Sequence, residues 1–199
     1  KSNYKMFLEN PVYNNEQFGW IEVICGSMFS GKTEELIRRI KRAKIANQNI
    51  KVFKPIIDLR SKNFIESHDE SKLECIEVKS SNEILENVNN CDVVAIDEAQ
   101  FFDDQIVTVC NKIANSGIRV IIAGLDMDYR GKPFGPMPNL LAIAEYVTKV
   151  HAVCTKSGKM ASYTHRIVKN EDLVLLGDTR RYEALSRREF IKAKKNKQK

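Results

Sequence analysis

The run Gly26-Ser27-Met28-Phe29-Ser30-Gly31-Lys32-Thr33 fits the pattern G-x-x-x-x-G-K-[ST] without a mismatch. It stands between an apolar stretch and an amphipathic one, the setting in which a glycine loop can wrap backbone N–H groups round phosphate oxygens. A helix opening at Lys32 adds its positive end to the same place. Gly26, Ser27, Ser30, Gly31, Lys32 and Thr33 are therefore candidates to cradle the phosphates of ATP. Lys32 would reach the β- and γ-phosphates, and the Thr33 hydroxyl would bind Mg²⁺. Further on, Val93-Val94-Ala95-Ile96-Asp97-Glu98 reads as an apolar strand ending in two carboxylates. Asp97 would hold Mg²⁺ through water, and Glu98, one residue further out, can accept a proton from an attacking hydroxyl or water. The chemistry is nucleotide-driven phosphoryl transfer. Two acceptors stay open on these residues: water, which makes a RecA-type P-loop ATPase, or a bound small-molecule hydroxyl, which makes a kinase.

Placing these groups requires strands with helices between them. Trp20 to Cys25, Ile50 to Lys54, Asp92 to Asp97 and Ile118 to Leu125 read as strands; Glu34 to Gln48, Ser81 to Val88 and Phe102 to Ser116 read as helices. Runs such as Val93 to Ile96 and Val120 to Ala123 are continuously apolar, as strands covered on both faces must be. The expected class is α/β, a parallel sheet with helices on both sides. Glu34 and Glu35 with Arg38 and Arg39 read as a solvated helix face. After Gly131 the texture changes. Three prolines surround a short loop, Asn139 to Glu145 gives one more helix, and residues 146 to 180 hold short strand-like runs, at Tyr146 to Val150, Ala161 to Val168 and Leu173 to Leu176. These suggest a small β-rich appendage. The organisation expected is a flexible leader over 1–18, a nucleotide-binding domain over 19–150, the appendage over 151–186 and a disordered basic tail over 187–199.

Of 199 residues, 32 are basic and 26 acidic, a formal charge of +6. Residues 187–199 hold seven of the basic residues and one acid, so the other 186 residues balance at 25 against 25. A nucleic-acid binder needs its excess across a folded face, so nucleic acid is not expected as a partner. No apolar run approaches the ~20 residues of a membrane helix, and no signal-like sequence opens the chain. Five scattered cysteines without a C-x-x-C pair read as reduced thiols in a cytoplasmic protein.

Phe101, Tyr129 and Phe134 follow the carboxyl ends of strands, where ligands bind in open α/β sheets, and rings lining a flat slot suit a nucleobase. Together, residues 26 to 39, Asp58 with Arg60, Ser67-His68, Ile96 to Phe102 and Ala123 to Gly135 resemble the cytosolic type II thymidine kinases, in a match running from about Gly19 to Tyr182. The resemblance implies a RecA-like parallel sheet with a small β-rich lasso subdomain, and phosphoryl transfer from ATP to the 5′-hydroxyl of thymidine or deoxyuridine. It implies as well a homotetramer and inhibition by thymidine triphosphate. By motif position Glu98 matches the family's catalytic base, while Arg60 lies in its phosphate-side loop and would steady the transferred group. Met28, Phe101, Leu125, Tyr129 and Phe134 fall where the family encloses base and sugar. Thr164, Leu173, Leu175, Gly177 and Tyr182 fall in its substrate-covering lasso.

That family usually carries four zinc cysteines at the root of the lasso. Here Cys154 stands with Ser157, Ser186 and Glu189 at the other three positions. One thiolate, two hydroxyls and a carboxylate do not make a closed structural zinc site, so no zinc is expected and Cys154 reads as an ordinary buried thiol. His151 and His165 read as packing or surface residues. Asp126 and Asp128 have the spacing of metal ligands but read as loop-fixing carboxylates.

Overall fold

A computed structural model describes residues 18–57, 64–66, 72–168 and 181–197. The chain runs β1 (Ile21–Cys25), α1 (Lys32–Ile45), β2 (Ile50–Pro55), β3 (Phe64–Glu66), β4 (Lys72–Glu74), β5 (Ile76–Val78), α2 (Asn82–Asn87) and β6 (Val93–Ile96). A single 3₁₀ turn follows at Ala99–Phe101, then α3 (Gln105–Asn115), β7 (Arg119–Gly124), α4 (Met137–Ile143) and β8 (Tyr146–Lys149). The last elements are β9 (Ala152–Val153), β10 (Met160–Ala161), β11 (Tyr163–Arg166), β12 (Tyr182–Leu185) and α5 (Arg187–Lys197).

The described strands of the main sheet lie in the order β5-β2-β6-β7-β1-β8, and every pairing is parallel. All residues of β1 and β6 are buried. Their side chains alternate between two apolar layers. Val23, Val94, Ile96 and Ile122 face the cluster that takes in Ile106, Val109, Ile113 and Leu140 of α3 and α4. Ile24, Val93, Ala95 and Ile121 face Leu36, Ile37 and Ile40 of α1. An unbroken apolar run is thus shared between two helix layers. The α/β parallel sheet expected from the sequence is the observed fold.

Three expectations are corrected. Tyr146–Lys149, read with the strand-like runs of the appendage although inside the 19–150 boundary, is a strand of the main sheet and extends its edge beside β1. Glu35 and Arg39 are not a solvated face. Arg39 is 4% exposed, its Nη1 lies 2.6 Å from Glu22 Oε2, its Nε lies 2.8 Å from Glu35 Oε1, and Arg119 Nε closes on Glu22 Oε1 at 2.7 Å. A buried strand carboxylate demands such partners, so the arginine is drawn inward. Glu22 accordingly titrates low: burial raises it, but hydrogen bonds and charge from Arg119, Trp20 and Arg39 outweigh that.

The third correction is residues 187–197, a helix where a disordered tail was expected. Its high charge hides one anchoring ring: Phe190 is buried and stacks on Tyr163, centroids 4.6 Å apart at 20°. The Arg187 guanidinium lies over the Tyr163 ring, 5.1 Å from its centroid, and Ala193 packs against the same cluster. β9–β10 and β11–β12 are antiparallel ribbons, and with α5 they close a third apolar cluster of Ala152, Cys154, Ala161, Tyr163, Ala184, Leu185 and Phe190.

Candidate active site

The phosphate loop hangs between β1 and α1. Gly26 has φ +152, and a Cβ there would sit 2.3 Å from the Val150 carbonyl oxygen, so the loop leaves the sheet only through a glycine. Gly31 caps α1 with φ 82, the left-handed region. Inside the loop Ser30 Oγ and Lys32 Nζ both donate to the Ser27 carbonyl, at 2.7 and 2.8 Å, which folds the ammonium over the loop. Glu34 and Glu35 in the first turn of α1 and Arg42 and Lys44 in the last agree with the helix dipole.

Thr33 Oγ1 donates to Asp97 Oδ2 at 3.3 Å, joining the first residues of α1 to the end of β6. Asp97 Oδ1 accepts the Glu98 backbone N–H at 2.9 Å, while the Asp97 N–H goes to the Phe53 carbonyl on β2. Glu98 has φ 52, a left-handed conformation uncommon for a residue with a side chain and typical of strained functional turns. A hydroxyl and a carboxylate oxygen side by side are the hard donors that Mg²⁺ takes, so Thr33 and Asp97 fit that ion chemically.

The slot side is assembled from three places. Phe101 of the 3₁₀ turn meets Phe134 edge to face, centroids 5.7 Å apart at 89°. Leu125 and Tyr129 lie in the loop after β7, which Asp128 fixes by accepting the Arg130 and Lys132 N–H groups at 2.8 and 2.9 Å. Asp126 pairs instead with Lys149 at 2.6 Å. Both carboxylates therefore hold the loop and its neighbour, as expected. Thr164 on β11 accepts the Met28 N–H at 3.0 Å, so the phosphate loop and the β-rich part touch directly. Tyr182, on β12, lies opposite Arg166 in the ribbon.

Arg166 was not singled out from the sequence. It is 1% exposed, its guanidinium lies 3.7 Å from the Tyr129 ring centroid, and its Nη2 donates to the Tyr182 hydroxyl at 2.8 Å. It thus bridges two expected slot residues. Period-two reading would have found it, since Thr164 and Arg166 share one face of β11. Gln100, between Glu98 and Phe101, was also passed over; it is 2% exposed. Arg60, Leu173, Leu175 and Gly177, with Asp58, Ser67 and His68, lie outside the described residues.

At the root, Cys154 is buried but not ordinary. Burial raises its thiol, yet the Ser157 hydroxyl and the backbone N–H groups of Ser186, Lys156 and Ser157 hydrogen-bond to it and bring it down to about 6. Ser157 and Ser186 thus do converge on the sulfur, as donors rather than ligands, while Glu189 turns to Lys192 at 3.0 Å. This donor set does not fit a structural zinc ion. Beneath the phosphate loop, Cys25 is pushed up to about 11, first by burial and then by Asp126.

Strand, glycine loop, helix, and a second strand ending in two carboxylates define a P-loop phosphotransferase fold, with the Phe101–Phe134 ring pair following the second strand. The sequence model of the family described as thymidine kinase matches residues 19–190. The chain is 56% identical over 190 residues to a thymidine kinase of Bacteroides thetaiotaomicron, covering 95% of this chain and 96% of that protein. It is 55% identical over 173 residues to one of Rhodothermus sp., covering 86% and 81%, and 52% identical over 181 residues to one of Porphyromonas gingivalis, covering 90% and 89%. The chain belongs to the thymidine kinase family, and its activity is that of a nucleoside phosphotransferase. The ATPase alternative is not favoured. Among the described residues no helix is long and apolar enough to cross a membrane.

Proposed function

We propose that the chain moves the γ-phosphoryl group of ATP to the 5′-hydroxyl of thymidine, with deoxyuridine also accepted, and that Glu98 is the general base. The observation that carries this reading is the turn at Glu98, whose N–H donates to Asp97, itself bonded to Thr33 at the phosphate loop, and whose next residues bring Phe101 against Phe134. As the 5′-oxygen attacks the γ-phosphorus, Glu98 takes its proton, the bond to the bridging oxygen of ADP breaks, and Lys32 and Arg60 offset charge on the moving group. Gly26, Ser27, Ser30 and Gly31 hold the phosphates through their backbone. Mg²⁺, when bound by Thr33 and Asp97, supplies positive charge to the β- and γ-phosphate oxygens.

Met28, Phe101, Leu125, Tyr129, Phe134, Thr164 and Tyr182 enclose the nucleoside, with Leu173, Leu175 and Gly177 on the covering segment. Residues 19–150 act as the nucleotide-binding domain and 151–186 as the lasso, now with α5 added to its root. No zinc takes part. A cytoplasmic homotetramer inhibited by thymidine triphosphate belongs to the same reading. The test is product formation from ATP with and without thymidine. Thymidine monophosphate and ADP should appear in equal amounts and only with thymidine; equal ATP turnover in both conditions, with no nucleotide product, would sink the reading.

A further inference from the structure

We propose that Gln100 is a positioning residue for phosphoryl transfer, fixing the Glu98 carboxylate and coupling it to the slot wall at Leu125. This rests on the reading of Glu98 as the base. Gln100 Nε2 donates to Glu98 Oε2 at 2.5 Å, and Gln100 Oε1 accepts the Leu125 N–H at 2.9 Å. The two contacts fix the amide's orientation. Exchanging its O and N would set two donors face to face at Leu125 and two acceptors face to face at Glu98. Room for the amide is built in, because Gly124 presents no side chain where a Cβ would lie 3.0 Å from Gln100 Oε1. Gly135, at φ +49, lets its loop close on the Gln100 backbone, where a Cβ would lie 2.4 Å from the carbonyl oxygen. A carboxamide bonded through both its nitrogen and its oxygen in a buried turn is held against rotation, so it passes its rigidity to the carboxylate it holds.

The same side chain spans the two halves of the reaction. Its oxygen marks the backbone of the loop that encloses the nucleoside, and its nitrogen marks the group that would take the nucleoside's proton. A slot wall displaced at Leu125 therefore displaces the base as well.

Gln100→Met, similar in volume and without either hydrogen bond, should lower kcat roughly 10- to 100-fold while thymidine KM changes much less. Gln100→Glu keeps an acceptor for the Leu125 N–H but turns an acceptor where a donor faced Glu98, so it should lower kcat as well and leave thymidine KM near the parent's. A merely structural role would raise KM through the slipped Leu125 loop and leave kcat near normal in Gln100→Met, and that pair of results overturns the proposal. Should Gln100→Met not fold, the split between kcat and KM in Gln100→Glu decides alone. Glu98→Gln is measured in parallel. Near-normal turnover there removes the base reading itself, whereas a collapse there beside a normal kcat in the Gln100 variants removes only the role of Gln100.

Discussion

Lys32, Thr33, Asp97 and Glu98 hang from strands buried along their whole length, whereas Thr164, Arg166 and Tyr182 hang from a ribbon of two four-residue strands. The phosphate side is covered on two faces by helices α1, α3 and α4. The slot side is closed by one small cluster whose outer wall is a single stacked pair, Tyr163 on Phe190. The two sides meet where the Met28 N–H reaches Thr164. On the proposed reading, groups that must hold still during bond breaking are set in the stiff layer, and part of the nucleoside's enclosure is set in the thin one. Changes to the first should fall on kcat, and changes to the second on thymidine binding.

The largest effect tests the stiff side. Glu98→Gln should lower kcat by ~10² to 10⁴ with thymidine affinity nearly unchanged, since a base acts on the transition state. Lys32→Met should do comparable damage through lost charge on the phosphate side. Single-turnover rates beside equilibrium thymidine binding separate the two quantities. If Glu98→Gln weakened binding as much as turnover, the division between the sides would fail.

Next comes the wall of the thin side. Phe190→Ala removes the ring that stacks on Tyr163, and truncating a buried Phe costs about 3–5 kcal/mol. Because the cluster is a separate one, amide exchange should rise in β9 to β12 and α5 while β1, β6 and β7 keep their protection. Uniform loss of protection would show that the molecule opens as one unit. Tyr182→Phe is milder. It removes the hydroxyl that Arg166 bonds at 2.8 Å, and a hydrogen bond to a charged group is worth about 1.5–3 kcal/mol, so thymidine KM should rise roughly 10- to 100-fold. An ATP KM that moved equally would place Tyr182 outside the slot.

The same contrast explains what could be read from the residues. The phosphate loop and the Asp97-Glu98 strand end are local patterns, each within eight residues, and β6 and most of β7 show as apolar runs because both faces are covered. Their places were legible. Tyr146–Lys149 is half exposed at a sheet edge, so nothing in its composition tells an edge strand from a short ribbon. The ends of α5 are charged but for Asn196, and its packing depends on Tyr163, far back in the chain, so it read as a tail. Gln100 makes its contacts across a turn and a loop, where no periodicity marks it, and the one cue to Arg166 was its place two residues from Thr164 on β11. For Cys154 the absent partner cysteines were legible, but the four donors round its sulfur were not, since three are backbone groups set by the turn.

The smallest expected effect is that of chelation, and the thiol explains why. If hydrogen bonds rather than a metal hold Cys154, strong zinc chelators should leave the melting temperature and thymidine KM unchanged, and elemental analysis should find far less than one zinc per chain. The hydrogen-bonded thiolate makes a second mark. Its folded value, about 6, lies below the 9.0 of an ordinary thiol, so its stabilising share is whole above pH 9, shrinks as pH falls, and is gone once pH has dropped through about 6. Neighbouring Glu183 is also held low: burial raises it, but Thr155, His165 and Lys156 outweigh that, and its share too is lost only on the acid side. Subtracting the melting curve of Cys154→Ala from that of the parent at each pH removes Glu183, which both proteins carry. The remaining difference should be widest near pH 9 and narrow steadily toward pH 6. A difference that stays flat with pH, or a chain that loses stability when zinc is stripped away, would mean that the root is tied by something other than these four donors.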